Sequence, residues 1–157
     1  MKKIPLTKGK FAIVDDEDFE WLSKYTWHYL QIGYAATTLY KDKKKHNITM
    51  HRLILKFPKG KDVDHINHDT IDNRKSNLRV CSRSQNLWNM AKFDNQYKGV
   101  TFYKKLKRWR TCLHYKYKFI HVGYFTNPED AARAYNQKAK ELFGEFAYQN
   151  VIKKGST

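Results

Sequence analysis

Only two cysteines, Cys81 and Cys112, occur in 157 residues. That supports neither a disulfide framework nor a CxxC metal knuckle, and it points to reduced thiols in an intracellular, cytoplasmic protein. No apolar run approaches the roughly 20 residues of a membrane span. The opening Met1-Lys2-Lys3-Ile4-Pro5 lacks the apolar stretch of a signal peptide, so no membrane partner is expected. Neither an internal repeat nor a low-complexity tract is present. Acid is also scarce, with fifteen Asp and Glu against thirty-one Lys and Arg, for a net charge of +16. Surface solvation alone does not require that imbalance. It implies a nucleic acid, an anionic membrane or an acidic partner.

The residues that are present fit one domain or two small ones, with 41% hydrophobic and 15% aromatic side chains for a modest core. Residues 1–91 carry seventeen basic and ten acidic groups, and residues 92–157 carry fourteen and five. The polar, aperiodic stretch Ala91 to Gln96 reads as a linker between a module at 1–91 and another at 95–150. In the first half, Lys10 to Val14 reads as a strand and Asp16 to Lys24 as a short helix with acids in its first turn. Tyr34 to Tyr40 and Ile48 to Leu55 read as a strand pair about the Lys41-Asp42-Lys43-Lys44-Lys45 turn. Asp62 to Arg79 reads as mostly irregular. Ser82 or Ser84 then caps a helix running to about Met90.

In the second half, Gly99 to Tyr103, Arg108 to His114 and Phe119 to Phe125 read as three strands. Asn127-Pro128-Glu129-Asp130 opens a helix whose stripe Ala131, Tyr135, Ala139 and Leu142 is stopped by Gly144. Tyr124, Tyr135 and Phe143 are expected in the core. The class is α+β, and the second half is a three-stranded antiparallel sheet packed on one helix.

The chemistry concentrates in Asp62-Val63-Asp64-His65-Ile66-Asn67, followed by Asn77-Leu78-Arg79-Val80 and then by Asn86. One hard cation and a neutral imidazole that deprotonates water are what a phosphodiester cut needs. Asp64 is an apt hard-metal ligand, and Asn86, in the first turn of the next helix, can close the site from the other side. His65 follows Asp64 directly, so a twisted turn can aim its ring at the attacking water. Asn77 is a side chain of the kind that ties a loop together through backbone bonds.

Between residues 92 and 118 there are nine basic groups and one acid, Asp94. Along the middle strand Trp109, Thr111 and Leu113 point one way, and Arg108, Arg110, Cys112 and His114 the other. An outward row of Arg and aromatic groups can enter the major groove of DNA, with Arg reading bases and Lys holding phosphates.

The text Met50-His51-Arg52-Leu53-Ile54-Leu55, Val63-Asp64-His65-Ile66-Asn67, Asp72-Asn73-Arg74, Ser76-Asn77-Leu78-Arg79 and Ser84-Gln85-Asn86 resembles the HNH nucleases. Within them it is closest in type to the homing endonucleases of phages and bacterial introns. The resemblance covers about residues 48–90. It implies a ββα-metal site, with His65 as general base, Asn77 orienting the loop that carries it, and Asp64 and Asn86 holding one divalent cation. Asn86 stands where many relatives have His, which favours Mg²⁺, with Mn²⁺ as the alternative, over Zn²⁺. His68 stands where relatives often have Gly and is read as a strained turn. His51-Arg52 is read as structural.

A second resemblance lies in Tyr97-Lys98-Gly99-Val100, Arg108-Trp109, Val122-Gly123-Tyr124-Phe125 and Glu129-Asp130-Ala131-Ala132-Arg133-Ala134-Tyr135-Asn136. These resemble the Apetala/ethylene-response-factor type of DNA-binding domain over about residues 95–150. That resemblance implies a DNA-facing set of Lys98, Thr101, Tyr103, Arg108, Arg110, Cys112, His114, Phe119 and His121. The combined expectation is a homing-type DNA endonuclease acting on double-stranded DNA in a phage-infected or bacterial cell, with no protein partner implied. A non-catalytic DNA-binding regulator with a decayed nuclease half is the alternative. An RNA-binding or structural basic protein fits the charge and leaves the Asp-His…Asn…Asn spacing unexplained.

Overall fold

The computed structural model describes residues 1–41, 43–92 and 97–152, and it mixes helix and strand. The chain forms two compact units, Met1–Asn86 and Leu87–Thr157. In the first, β1 (Lys2–Pro5) pairs antiparallel with β2 (Phe11–Val14), and α1 (Asp16–Leu22) follows. A second sheet has the order β3 (His28–Tyr29), β4 (Ala35–Lys41), β5 (Lys44–Thr49). After α2 (Met50–Ile54) come β6 (Asp62–His65) and β7 (Leu78–Cys81), an antiparallel pair, and then α3 (Arg83–Asn89). The second unit holds β8 (Val100–Tyr103), β9 (Arg108–Tyr115) and β10 (Lys118–Phe125) in the order β10-β9-β8, with α4 (Pro128–Phe143) against them. Among the described residues no helix is long and apolar enough to cross a membrane.

The core of the first unit joins Ile4, Ala12, Val14, Leu22, Trp27, Met50, Ile54, Val63 and Leu78. Burying each such aliphatic or aromatic side chain is worth about 1.5–3 kcal/mol. This packing explains one departure from expectation. Residues 48–55 do not continue as a strand, because Met50, His51 and Ile54 are buried together at helical spacing and α2 begins at Met50. The stretch expected to be irregular likewise contains β6 and β7, joined by a loop that is tied to β2. The amide of Ile13 donates to Ile71 O and that of Asn73 to Ile13 O, each at 2.8 Å. The expected turn residue Asp42 lies outside the described residues.

Capping follows the sequence closely. Ser82 Oγ accepts from the Gln85 amide at 3.2 Å while Gln85 Oε1 accepts from the Ser82 amide at 2.8 Å, a reciprocal capping box for α3. Asn127 Oδ1 accepts from the Asp130 amide at 2.8 Å, with Pro128 at the first position of α4. The division between the units falls inside α3, ahead of the stretch read as a linker, of which residues 93–96 lie outside the described residues. Trp88 sets that boundary. Its ring stacks on Phe143 at 4.6 Å and lies 5.7 Å from Tyr115, and its carbonyl accepts from the Tyr148 amide.

Inside the second unit, Ala131, Ala132, Tyr135, Ala139 and Phe143 of α4 are buried against Val100, Thr111 and Leu113 of the sheet. Tyr135 and Phe143 are thus core, whereas Tyr124 is 39% exposed. The reason is a bulge. His121 pairs with Cys112 and Gly123 with Thr111, so Val122 is an extra residue that resets the alternation and turns Tyr124 outward opposite Arg110.

Candidate active site and nucleic-acid face

β6 places Asp62 and Asp64 on one face, because strand side chains alternate. Across the pair, Arg79 stands opposite Asp64, and its Nε and Nη2 donate to Asp64 Oδ2 at 2.9 and 2.8 Å. The first helical turn of α3 brings Asn86 to the same strand, where its Nδ2 donates to Asp62 Oδ2 at 2.9 Å. That bond, with help from Arg83 at 3.2 Å, holds the Asp62 carboxyl below its ordinary pKa. Asp62 is therefore a part of the site that the sequence reading passed over. The alternation Asp62, Asp64 was the signal, but it is legible only once 62–65 is taken as a strand.

His65 ends β6 on the opposite face and is 4% exposed. Its ring meets His51 edge-on at 5.0 Å and Tyr34 at 5.8 Å, while Tyr34 and His51 lie 5.0 Å apart. Burial lowers the His65 pKa, opposed by its bond to Asn73 and by Asp64, Asp69 and Asp72. The ring is accordingly neutral at neutral pH. Nε2 lies 3.4 Å from Asn73 Oδ1. An amide oxygen only accepts, so this contact is a hydrogen bond in the tautomer that carries its proton on Nε2. Neither Tyr34 nor Asn73 was expected as a neighbour of His65, since Tyr34 arrives through long-range packing and Asn73 through the fold-back of the loop.

The loop after His65 is knitted by side-chain amides. Asn77 Oδ1 accepts from the Asn67 amide at 3.0 Å, and its Nδ2 donates to Asp72 O at 2.8 Å. Asn67 Nδ2 in turn donates to Asp72 Oδ2 at 3.1 Å. Arg74 bonds both oxygens of Asp72, at 2.8 and 2.6 Å, and pulls that carboxyl below its usual range. His68 takes a left-handed φ of 66°, in keeping with a turn where a glycine would be unstrained.

His51 is buried, with Nδ1 lacking a hydrogen-bond partner. Burial, then the neighbouring His65 and Arg52, push its pKa down to about 3. Below the ordinary His value of about 6.5 the unfolded chain takes up a proton that the folded chain refuses. Stability is therefore fully present above that value and falls as the pH drops toward 3, by up to ~1.4 kcal/mol per unit. Melting temperatures should decline between about pH 7 and pH 5, and His51→Gln should flatten the decline. An equal slope in that variant would remove His51 as the cause.

HNH nucleases generally use a divalent metal, and the oxygen chemistry here suits a hard one. Asp62, Asp64 and the Asn86 amide are oxygen donors, and a Mg²⁺-type ion is held through one or two carboxylates while keeping several waters. The contact between Asn86 and Asp62 shows that the helix and strand donors meet. Turning the amide over would present its oxygen to an ion. Among the described residues no cluster of three or more His, Cys, Asp or Glu side chains stands ready to enclose a metal, so the fit is to a site with few protein ligands.

In the second unit, the outward face of the sheet carries Thr101, Tyr103, Arg108, Arg110, Cys112, His114, Phe119, His121 and Tyr124. Arg110 lies over the Tyr103 ring at 5.6 Å, Tyr103 and His121 lie 5.7 and 4.7 Å from Tyr124, and His114 meets Phe119 at 5.3 Å. Lys98 is not part of this row. Its ammonium donates to the carbonyls of Leu87, Trp88 and Met90 at 3.0, 2.8 and 2.7 Å, which uses all three donors on the end of α3.

Residues 50–87, from α2 through β6 and β7 into α3, match the family model described as HNH endonuclease. A protein of Acanthamoeba polyphaga mimivirus, named as an HNH endonuclease, is 34% identical over 153 residues, spanning 92% of this chain and 77% of the relative. No solved structure matches significantly. The chain belongs to the HNH endonuclease family, and it is a nuclease.

Proposed function

We propose that the protein is a metal-dependent, site-specific DNA endonuclease of the homing type, with His65 as its general base. The observation that carries this reading is the buried, neutral His65 beside Asp64, with Asn86 brought to the same strand through Asp62. Asp64 and Asn86, with Asp62 alongside, would hold one divalent cation, Mg²⁺ before Mn²⁺. Bound there, the ion supplies charge stabilisation at the scissile phosphate and the leaving oxygen.

The chain's own groups do the rest. His65 Nδ1 takes a proton from water, whose oxygen bonds to phosphorus in line as the bond to the 3′ oxygen breaks, leaving a 5′-phosphate. Asn73 fixes the tautomer, and Asn77 holds the loop that carries the ring. Arg79, a planar guanidinium already beside Asp64, is suited to a phosphate oxygen. Nicking of supercoiled plasmid that carries host genomic fragments tests the reading. Cleavage in Mg²⁺ that stops in EDTA supports it, and cleavage that survives chelation overturns the metal assignment.

Selectivity is assigned to the second unit, whose resemblance to the Apetala/ethylene-response-factor domains and outward Arg and aromatic row support a face for double-stranded DNA. Arg108→Ala with Arg110→Ala should weaken duplex binding and make its salt dependence shallower by about one to two phosphate contacts, each worth ~0.9 in slope. Binding with an unaltered slope would place the contact elsewhere.

A further inference from the structure

The tip of the β9–β10 hairpin stands apart from the rest of the sheet. Two residues, Lys116 and Tyr117, join the strands, and both are left-handed, with φ of 46° and 64°. Such two-residue turns match the twist of a hairpin, and Asn-Gly makes them without strain. A lysine and a tyrosine carry a backbone penalty there. Among the described residues the other consecutive left-handed pair without a glycine, Lys56 and Phe57, has a structural reason. Its amides donate to Leu53 O and Arg52 O and close the end of α2. At 116–117 the fold gains no packing in exchange, for Tyr117 has a relative exposure of 107%. Lys116 folds back over the Tyr115 ring at 5.2 Å, so the tyrosine leads.

We propose that Tyr117 is a DNA contact, its ring laid against the sugar and base edge of a duplex at the margin of the sheet's footprint. This rests on the reading of the sheet face as the DNA-binding surface. Three observations support it. The turn continues a strand whose Phe119, two residues on, is 53% exposed in the outward row. Lys116 and Lys118 flank it and suit the phosphates on either side. The tip also lies roughly 25 Å along β9 from Arg108, about seven base pairs of duplex at ~3.4 Å each. Backbone strain with no packing gain points to a use for the exposed ring.

The test uses the full chain, a fluorescein-labelled duplex of mixed sequence, and anisotropy titrations over a salt series. An aromatic contact is indifferent to salt, whereas a lysine contact is not. Tyr117→Gly keeps both lysines and relieves the turn. It should melt higher than wild type and bind about fivefold or more weaker, with an unchanged slope of log affinity against log salt. Wild-type binding by Tyr117→Gly overturns the proposal. So does a lower melting temperature, which would make the tyrosine a folding residue, or an altered slope, which would assign the loss to the lysines. The Arg108→Ala, Arg110→Ala variant is titrated in parallel. If it binds as wild type, the sheet-face reading falls by itself, whatever Tyr117→Gly shows.

Discussion

Alanine in place of His65 should lower the rate of DNA cleavage by about 10²- to 10⁴-fold, the range associated with removal of a positioned general base. His51 is the nearest imidazole, but it does not adjoin Asp64 in the chain, and its ring is packed against those of Tyr34 and His65. The substitution also opens a small hole between His51 and Tyr34, at a cost of about 1–3 kcal/mol. That is well below the 5–15 kcal/mol that holds a typical domain together, so the variant should fold. Single-turnover nicking, paired with a thermal melt, separates the two effects. A folded variant that keeps more than about a tenth of the wild-type rate would remove His65 from the base role.

Gly99→Ala should be the most damaging single change in the second unit. Gly99 has φ of 75°, a conformation that costs an L side chain roughly 1–2 kcal/mol. A Cβ there would also overlap the Tyr135 ring and lie 2.7 Å from the carbonyl oxygen of Cys112. Tyr135 is a fully buried ring and cannot swing away without emptying the core under α4. Overpacking of this kind adds about 1–3 kcal/mol, for a total of about 2–5 kcal/mol. Since 1 kcal/mol moves the midpoint of a small domain by ~4–8 °C, a fall of more than about 10 °C is expected. A shift under about 4 °C would mean that the sheet and helix are not packed this closely. The same contact explains why Tyr-x-Gly-Val and Ala-Ala-x-Ala-Tyr occur together in one chain. The glycine of the first lets the tyrosine of the second lie flat against the backbone.

Those motifs were legible because each is local. Asp64-His65, Asn77 and Asn86 could be read together from spacing, and the caps at Ser82 and Asn127 bond as their residue types dictate. What was not legible depended on context. Met50 to Ile54 is a short apolar run whose periodicity fits either a strand or a helix, and burial of His51 against Tyr34 decided it. Asp62 joined the site through its bond from Asn86 of α3, Asn73 through the fold-back of the loop after His65, and Tyr34 through packing from a distant part of the chain. Tyr124 was misplaced because a single-residue bulge inverts every side chain after it, and Gly123, a lone glycine inside a strand and the one local sign of a bulge, was read as plain strand.

The Asn77 amide has a consequence for motion. One side chain bonds both Asn67 N and Asp72 O, and Asn67 itself reaches Asp72, so the eleven residues from Asn67 to Asn77 are tied to one another at three points. They are expected to open as a cooperative unit. The backbone amide of Asn67, sealed behind that one carboxamide, becomes a clock for the loop. The rate at which it trades its hydrogen for deuterium counts how often the segment next to His65 comes apart.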